Sequence, residues 1–297
     1  MSDDEVTVFV PGHVTGFFSS HPDDDPSKAG SRGAGLTLTD GVTVRLTPAG
    51  HTRTTLNGAE ITVDPVERVC EALSVSARIE ATTDLPLGAG FGVSGALALG
   101  TALAANQAFD RQLSENEVIS VAHGAEVRSG TGLGDVVAQA RGGVPIRLEP
   151  GGPAYGRLDG VPASSRIEYV TFGELSTESV LSGDTDRLSD AGLESLSMLL
   201  EEPTLSTLLF ASRRFAREAD LLTDRVREAI EDVSAVGGEA SMAMLGRTVF
   251  ALGSGLSDAG YDPAICHTHA AGASIIDEPT MATAPSRPPR ANNVGDL

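Results

Sequence analysis

Lysine is almost absent from this sequence. Of 21 basic residues only Lys28 is lysine, against 41 aspartates and glutamates and a formal charge of −20. A Walker-type phosphate loop closes on Gly-Lys-Ser/Thr, but Lys28 stands between Ser27 and Ala29. A protein-kinase site needs a strand lysine and pyridoxal chemistry a Schiff-base lysine, so neither can be built. No basic stripe is present either, which argues against nucleic acid as a partner. Cysteine is scarce. Cys70 and Cys266 stand far apart, give no disulfide framework, and fit a reducing compartment. The longest apolar stretch, residues 96–105, is too short and glycine-interrupted to span a membrane. The opening Met1-Ser-Asp-Asp-Glu5 is acidic, so no secretory leader is expected and a cytoplasmic location is.

The acidic balance could indicate disorder, but 40% hydrophobic residues and periodic segments point to a folded core. A carboxylate-rich, lysine-poor surface is the composition of a halophilic protein, in a cytosol where salt screens charge repulsion to a few Å. Anionic ligands must then be held locally, by arginine and backbone N–H groups.

Along the chain, residues 6–10 read as a strand ended by Pro11-Gly12. Residues 36–38, 42–46 and 53–63 alternate as hairpin strands, with turn signals at Asp40-Gly41 and Asn57-Gly58. Pro65 opens a helix over 66–73 with Asp64 as its N-cap. Residues 76–82 form a strand, and a long Ala/Leu helix runs to about Phe109. Ser114 with Glu117 is a capping box for a helix to about Arg128. A strand is predicted over 144–148 and a linker over 149–162. A smaller unit follows: a strand over 167–172, helices near 185–200, 204–219 and 221–235, and strands at 242–245, 248–251 and 265–276. The composition turns to Pro, Ala, Arg and Asn near the end, which predicts a frayed tail.

Gly90-Phe-Gly92-Val-Ser94-Gly95 matches the dinucleotide pattern Gly-x-Gly-x-x-Gly literally. The context disfavours a nicotinamide site, because Pro86 and three further residues separate it from the preceding strand and no βαβ run follows. A glycine-dense loop entering a helix N-terminus can nevertheless wrap backbone N–H groups around phosphate. Ser94 at the helix start could cap the helix or ligate a phosphate-bound cation.

Residues 86–96, Pro-Leu-Gly-Ala-Gly-Phe-Gly-Val-Ser-Gly-Ala, resemble the central Pro-x-x-x-Gly-Leu-Gly-Ser-Ser-Ala motif of the GHMP small-molecule kinases. Residues 11–18, Pro-Gly-His-Val-Thr-Gly-Phe-Phe, resemble their N-terminal motif. Glu126 and Ser129-Gly-Thr-Gly-Leu-Gly-Asp135 resemble the segment that carries their metal glutamate and catalytic aspartate. All three come in the family's order. His123, Arg147 and His13, where relatives carry Lys or Arg, narrow the resemblance to the archaeal pantoate-kinase branch.

The resemblance implies an α+β GHMP kinase fold: a ribosomal protein S5 domain 2-like N-terminal domain over residues 1–160, a ferredoxin-like C-terminal domain over 161–279, and a disordered tail over 280–297. It implies ATP as co-substrate and phosphorylation of pantoate. Pro86, Gly88, Ala89, Gly90, Gly92, Ser94 and Gly95 would bind the nucleotide, Ser94 and Glu126 would hold Mg²⁺, and Asp135 would act as base. Arg147 would pair with the pantoate carboxylate, with His123, Ser31, Thr177 and His13 as further substrate contacts. A homodimer is implied by the family alone. The third family motif would fall at residues 237–246 but matches poorly. A mevalonate- or homoserine-type kinase and a non-catalytic metabolite-binding relative remain the alternatives.

Overall fold

The computed structural model describes residues 5–173, 185–244 and 246–276. The expected tail and Thr177 lie outside them. Two strands dominate: β1 (Val6–His21) and β2 (Gly30–Pro48), an antiparallel pair at the centre of an eight-stranded sheet. β1 does not stop at Pro11-Gly12. The chain continues through a register shift there, where Pro11 faces Gly41 and Gly12 faces Leu38. Asp40-Gly41 is therefore a bulge inside β2, not a hairpin turn. Glycine is needed at 41 because a Cβ would collide with the Val10 carbonyl oxygen and lie 2.7 Å from the Phe9 ring. Asn57-Gly58 does turn a hairpin, between β3 (Arg53–Leu56) and β4 (Ala59–Ile61), with φ of 50° and 80° at its two residues.

β5 (Ala77–Thr82) pairs with β2 on one side and β3 on the other. β6 (Val144–Glu149) pairs with β2 near Gly33 and with β7 (Arg157–Val161). The expected linker thus holds a strand and belongs to the sheet. The helices over this sheet are α1 (Asp64–Leu73), α2 (Val93–Ala108), α3 (Glu115–Ser129) and α4 (Asp135–Arg141). The N-cap of α1 is Val63 rather than Asp64, which instead pairs with Arg68 one turn on at 2.6 Å. The capping box predicted at Ser114 and Glu117 is formed.

α2 is apolar on every side, as befits a helix buried all round. Gly100 brings it against β2: a Cβ there would sit 2.6 Å from Val44 Cγ2 and 3.0 Å from Val44 Cβ. Gly100→Ala should lower stability by about 1–2 kcal/mol in denaturant titrations, because overpacking outweighs alanine's helix propensity of roughly 1 kcal/mol.

The second sheet, ordered β11-β8-β10-β9, is antiparallel. It comprises β8 (Arg166–Thr171), β9 (Ala240–Ala243), β10 (Thr248–Leu252) and β11 (Ala264–His267). With it go helices α5 (Thr185–Glu201), α6 (Leu205–Glu218), α7 (Asp224–Ala235) and the single turn α8 (Gly255–Asp258). The strand expected over 265–276 divides. After β11 the chain returns to the first sheet, where β12 (Ser274–Ile275) pairs with β1 at Val8 and Phe9. α5 and α6 also pack on β1, as α2 does, so helices of both groups cover that strand. This is why β1 reads as a nearly continuous buried run rather than an alternating one. No helix among the described residues is long and apolar enough to cross a membrane.

Candidate active site

The glycine segment before α2 makes its turns at Gly88, Gly90 and Gly92, with φ of 67°, 89° and 62°. Those left-handed values favour glycine, and at Gly90 a Cβ would also lie 2.8 Å from the Met244 carbonyl oxygen. Gly92 is the N-cap of α2 and no side chain caps the helix. Ser94 is therefore the second residue of α2 rather than its cap. The uncapped N–H groups and the helix dipole face a pocket of about 220 Å³ lined by Gly88, Gly90, Gly92, Ser94 and Asp135. Pro86, Ala89 and Gly95 do not line it. Ala89 is buried and its carbonyl accepts the Thr248 hydroxyl at 2.8 Å, whereas Gly95 faces α4.

Asp135 is the first residue of α4, its N-cap position taken by Gly134. Its side chain turns to β1, where the Nδ1–H of fully buried His13 donates to Oδ1 at 2.7 Å. Burial raises the Asp135 pKa, but the His13 hydrogen bond and the Arg147 charge outweigh it and hold the carboxyl below its ordinary range. Burial lowers the His13 pKa against the pull of Asp135, so the ring donates as a neutral imidazole. His13 therefore stands behind the carboxylate.

Arg147, on β6, is 2% exposed, and its Nε donates to the Ser31 hydroxyl at 3.2 Å. Burial brings the guanidinium down to about 10, so it stays charged at neutral pH. Its Nη1 is buried without a partner. Gly134 keeps the space open: a Cβ there would lie 2.6 Å from both Arg147 Nε and Ser31 Oγ. His123 is placed differently. It is buried on α3, and its Nε2 donates to the Ala29 carbonyl at 2.9 Å, behind Gly30-Ser31.

Glu126, three residues on along α3, is also buried. Thr131 Oγ1 donates to its Oε1 at 3.0 Å, while Oε2 has no partner. Burial, then the charge of Asp135, pushes its pKa to about 7 against the Ser94 and Thr131 hydroxyls. The orphaned oxygen, the neighbouring hydroxyls and the missing side chain of Gly132 make a donor set that suits a hard cation. Because folded Glu126 binds its proton more tightly than the unfolded chain does, metal-free stability falls as pH rises from about 4.5 to 7. Glu126→Gln should abolish that slope. Its metal-free melting temperature is expected to match wild type at about pH 5 and exceed it at about pH 8.

Leu87, Phe91 and Val93, interleaved with the named residues of the glycine segment, also line the pocket, and three lining residues outside that segment escaped the sequence reading of the site. Thr15 lies two positions after His13 on the same strand face, a period-two signal that could have revealed it. Thr131 sits inside the glycine motif itself. Met244 carries no local signal. It follows β9 within the poorly matching third motif, its N–H bonded to the Thr15 carbonyl at 2.9 Å and its carbonyl 2.8 Å from where a Gly90 Cβ would lie.

Residues 61–143 match the family model described as the GHMP kinases N terminal domain. A glycine cradle at an open helix end, beside a buried carboxylate, is what a small-molecule kinase of that type requires, and this is the class that the fold and site define. A pantoate kinase of Thermococcus kodakarensis is 35% identical over 263 residues, 83% of this chain and 87% of that protein. A pantoate kinase of Methanocaldococcus jannaschii is 34% identical over 252 residues, 82% of this chain and 92% of that protein. A solved structure described as a phosphotransferase related to the CoA biosynthesis pathway superimposes with a TM-score of 0.82 at 30% identity, covering 91% of this chain and 98% of its own. The chain belongs to the pantoate-kinase family of the GHMP kinases.

Proposed function

We propose that this protein transfers the terminal phosphoryl group of ATP to the 4-hydroxyl of pantoate, giving 4-phosphopantoate and ADP on the route to coenzyme A. One arrangement supports the reading above all. Asp135 lies between the glycine pocket, suited to a triphosphate, and the Arg147–Ser31 pair, suited to a carboxylate. In phosphoryl transfer, positioning and charge stabilisation supply most of the catalysis.

The loop over residues 88–95 and the N-terminus of α2 bind the phosphates through backbone N–H groups, which replaces the missing lysine. Arg147 orients pantoate through its carboxylate, assisted by Ser31. His13 holds Asp135 Oδ1, which leaves Oδ2 to take the proton of the attacking hydroxyl. The hydroxyl oxygen then bonds to the γ-phosphorus as the bond to the ADP oxygen breaks. Magnesium, held by Glu126 and Ser94, would neutralise charge on the phosphate oxygens. His123 positions the Ala29–Ser31 backbone. A homodimer, a cytoplasmic location and adaptation to high salt complete this reading.

The deciding measurement is ADP release with pantoate, mevalonate and homoserine as acceptors in high-KCl buffer, with identification of the phosphorylated product. Release with mevalonate or homoserine but not pantoate would overturn the substrate assignment. Thermal stabilisation by NAD(H) without any by Mg–ATP would restore the nicotinamide alternative.

A further inference from the structure

Gln139 has no role in the site as described, yet it touches the site's most constrained point. α4 presents Asp135 and, one turn later, Gln139 on the same face. Gln139 is fully buried, and its Nε2 donates to the Gly92 carbonyl at 2.9 Å. That carbonyl also receives the Ala96 N–H at 3.0 Å, the opening bond of α2. Gly95 allows the approach: a Cβ there would lie 3.1 Å from Gln139 Oε1 and 3.3 Å from Asp135 Cβ. On the other side of α4, the Gln139 backbone carbonyl accepts the Ala273 N–H at 2.9 Å, which ties the helix to the segment entering β12.

Two physical facts make this contact more than packing. Gln139 Oε1 is buried without a partner, a cost that leucine or methionine in the same volume would avoid. Gly92 is the residue least able to hold its own conformation, since glycine moves freely among backbone states that other residues cannot enter. A loop that turns on such a residue needs an external tether if its N–H groups are to keep one direction.

We propose that Gln139 is a positioning residue for phosphoryl transfer. It fastens the phosphate-holding loop at Gly92 to the helix that carries Asp135, so nucleotide and carboxylate keep a constant separation. The proposal rests on the kinase reading above. Misplacement by about 1 Å can cost on the order of 100-fold in rate, so a single amide donor here has leverage.

The test is ATP affinity by calorimetry on the full chain, as a ratio to wild type at each pH, with kcat and both KM values alongside. Gln139→Met, which cannot donate, should weaken ATP binding about 10-fold at every pH and lower kcat, while the pantoate KM stays within about two-fold. Gln139→Glu keeps the shape but donates only when protonated. Its ATP affinity should therefore approach wild type at about pH 5 and fall about 10-fold by about pH 8. ATP affinity within about two-fold of wild type in a folded Gln139→Met chain overturns the proposal. Should that variant fail to fold, a Gln139→Glu ratio that does not change with pH overturns it. If wild type binds ATP but releases no ADP with pantoate, the kinase reading fails while the binding ratios still report on the tether.

Discussion

Asp135→Asn is expected to lower kcat by about 10³-fold while leaving ATP affinity within a few-fold of wild type. The substitution preserves shape, and Asn Oδ1 can still accept the His13 hydrogen bond seen at 2.7 Å. What disappears is the negative charge and the capacity to take a proton. The carboxylate is in the form that can accept one, because its pKa is held low although it is buried; it is ionised across the neutral range, and its weak basicity suits a proton that leaves as the oxygen bonds to phosphorus. Lowering the pH through that depressed pKa should remove activity in wild type, because protonated Asp135 cannot accept the hydroxyl proton. Steady-state ADP release and ATP titration of the same preparation check the claim. A variant that turns over within about ten-fold of wild type would remove Asp135 from the reaction. A non-catalytic metabolite-binding protein would retain its function in this variant, which makes the measurement a test of class as well as of residue.

Arg147→Lys should raise the pantoate KM by about 100-fold, with the ATP KM changed by no more than a few-fold. The two side chains carry the same charge when protonated, so the loss reports geometry first. Arg147 uses Nε on the Ser31 hydroxyl at 3.2 Å and leaves Nη1 buried and unpartnered. A planar fork can bind both carboxylate oxygens through separate nitrogens while keeping that internal bond, whereas an ammonium must serve every partner from one nitrogen and loses the parallel pair. Lysine also shifts its pKa downward more readily when buried, which weakens the pair further. A melting curve should accompany the kinetics, because Arg147 lies next to Asp135 and His13 and its replacement disturbs their charges. An unchanged pantoate KM in a folded Arg147→Lys chain would show that the carboxylate binds elsewhere.

Several features were legible because their signals are local. The Asn57-Gly58 turn, the Ser114–Glu117 capping box and the glycine loop each need only a few consecutive residues. The motif order then tied Ser94, Glu126 and Asp135 together before any contact was visible. Illegible were the places where a distant partner overrides a local signal. Pro11-Gly12 and Asp40-Gly41 both look like chain ends, but they face each other across one bulge inside a continuous strand pair. Residues 157–161 look like linker, yet they extend the sheet beside β6. The cap assigned to Asp64 belongs to Val63, one residue earlier, and Ser94 falls inside α2 because the left-handed φ of Gly92, not side-chain type, sets where that helix begins.

The sequence by itself determined the chemistry: scarce lysine, turns that favour glycine, and a set of oxygen donors with one fork-shaped cation. Tertiary structure decided what each group does. His13, expected among the substrate contacts, stands behind Asp135 because β1 brings it across 122 positions of chain. Met244 closes on the glycine loop, and Gln139 reaches Gly92, through contacts that no periodicity encodes. The reason is physical. Backbone propensity is set by neighbours a few residues away, whereas the alignment of one buried group with another is set by how whole elements pack.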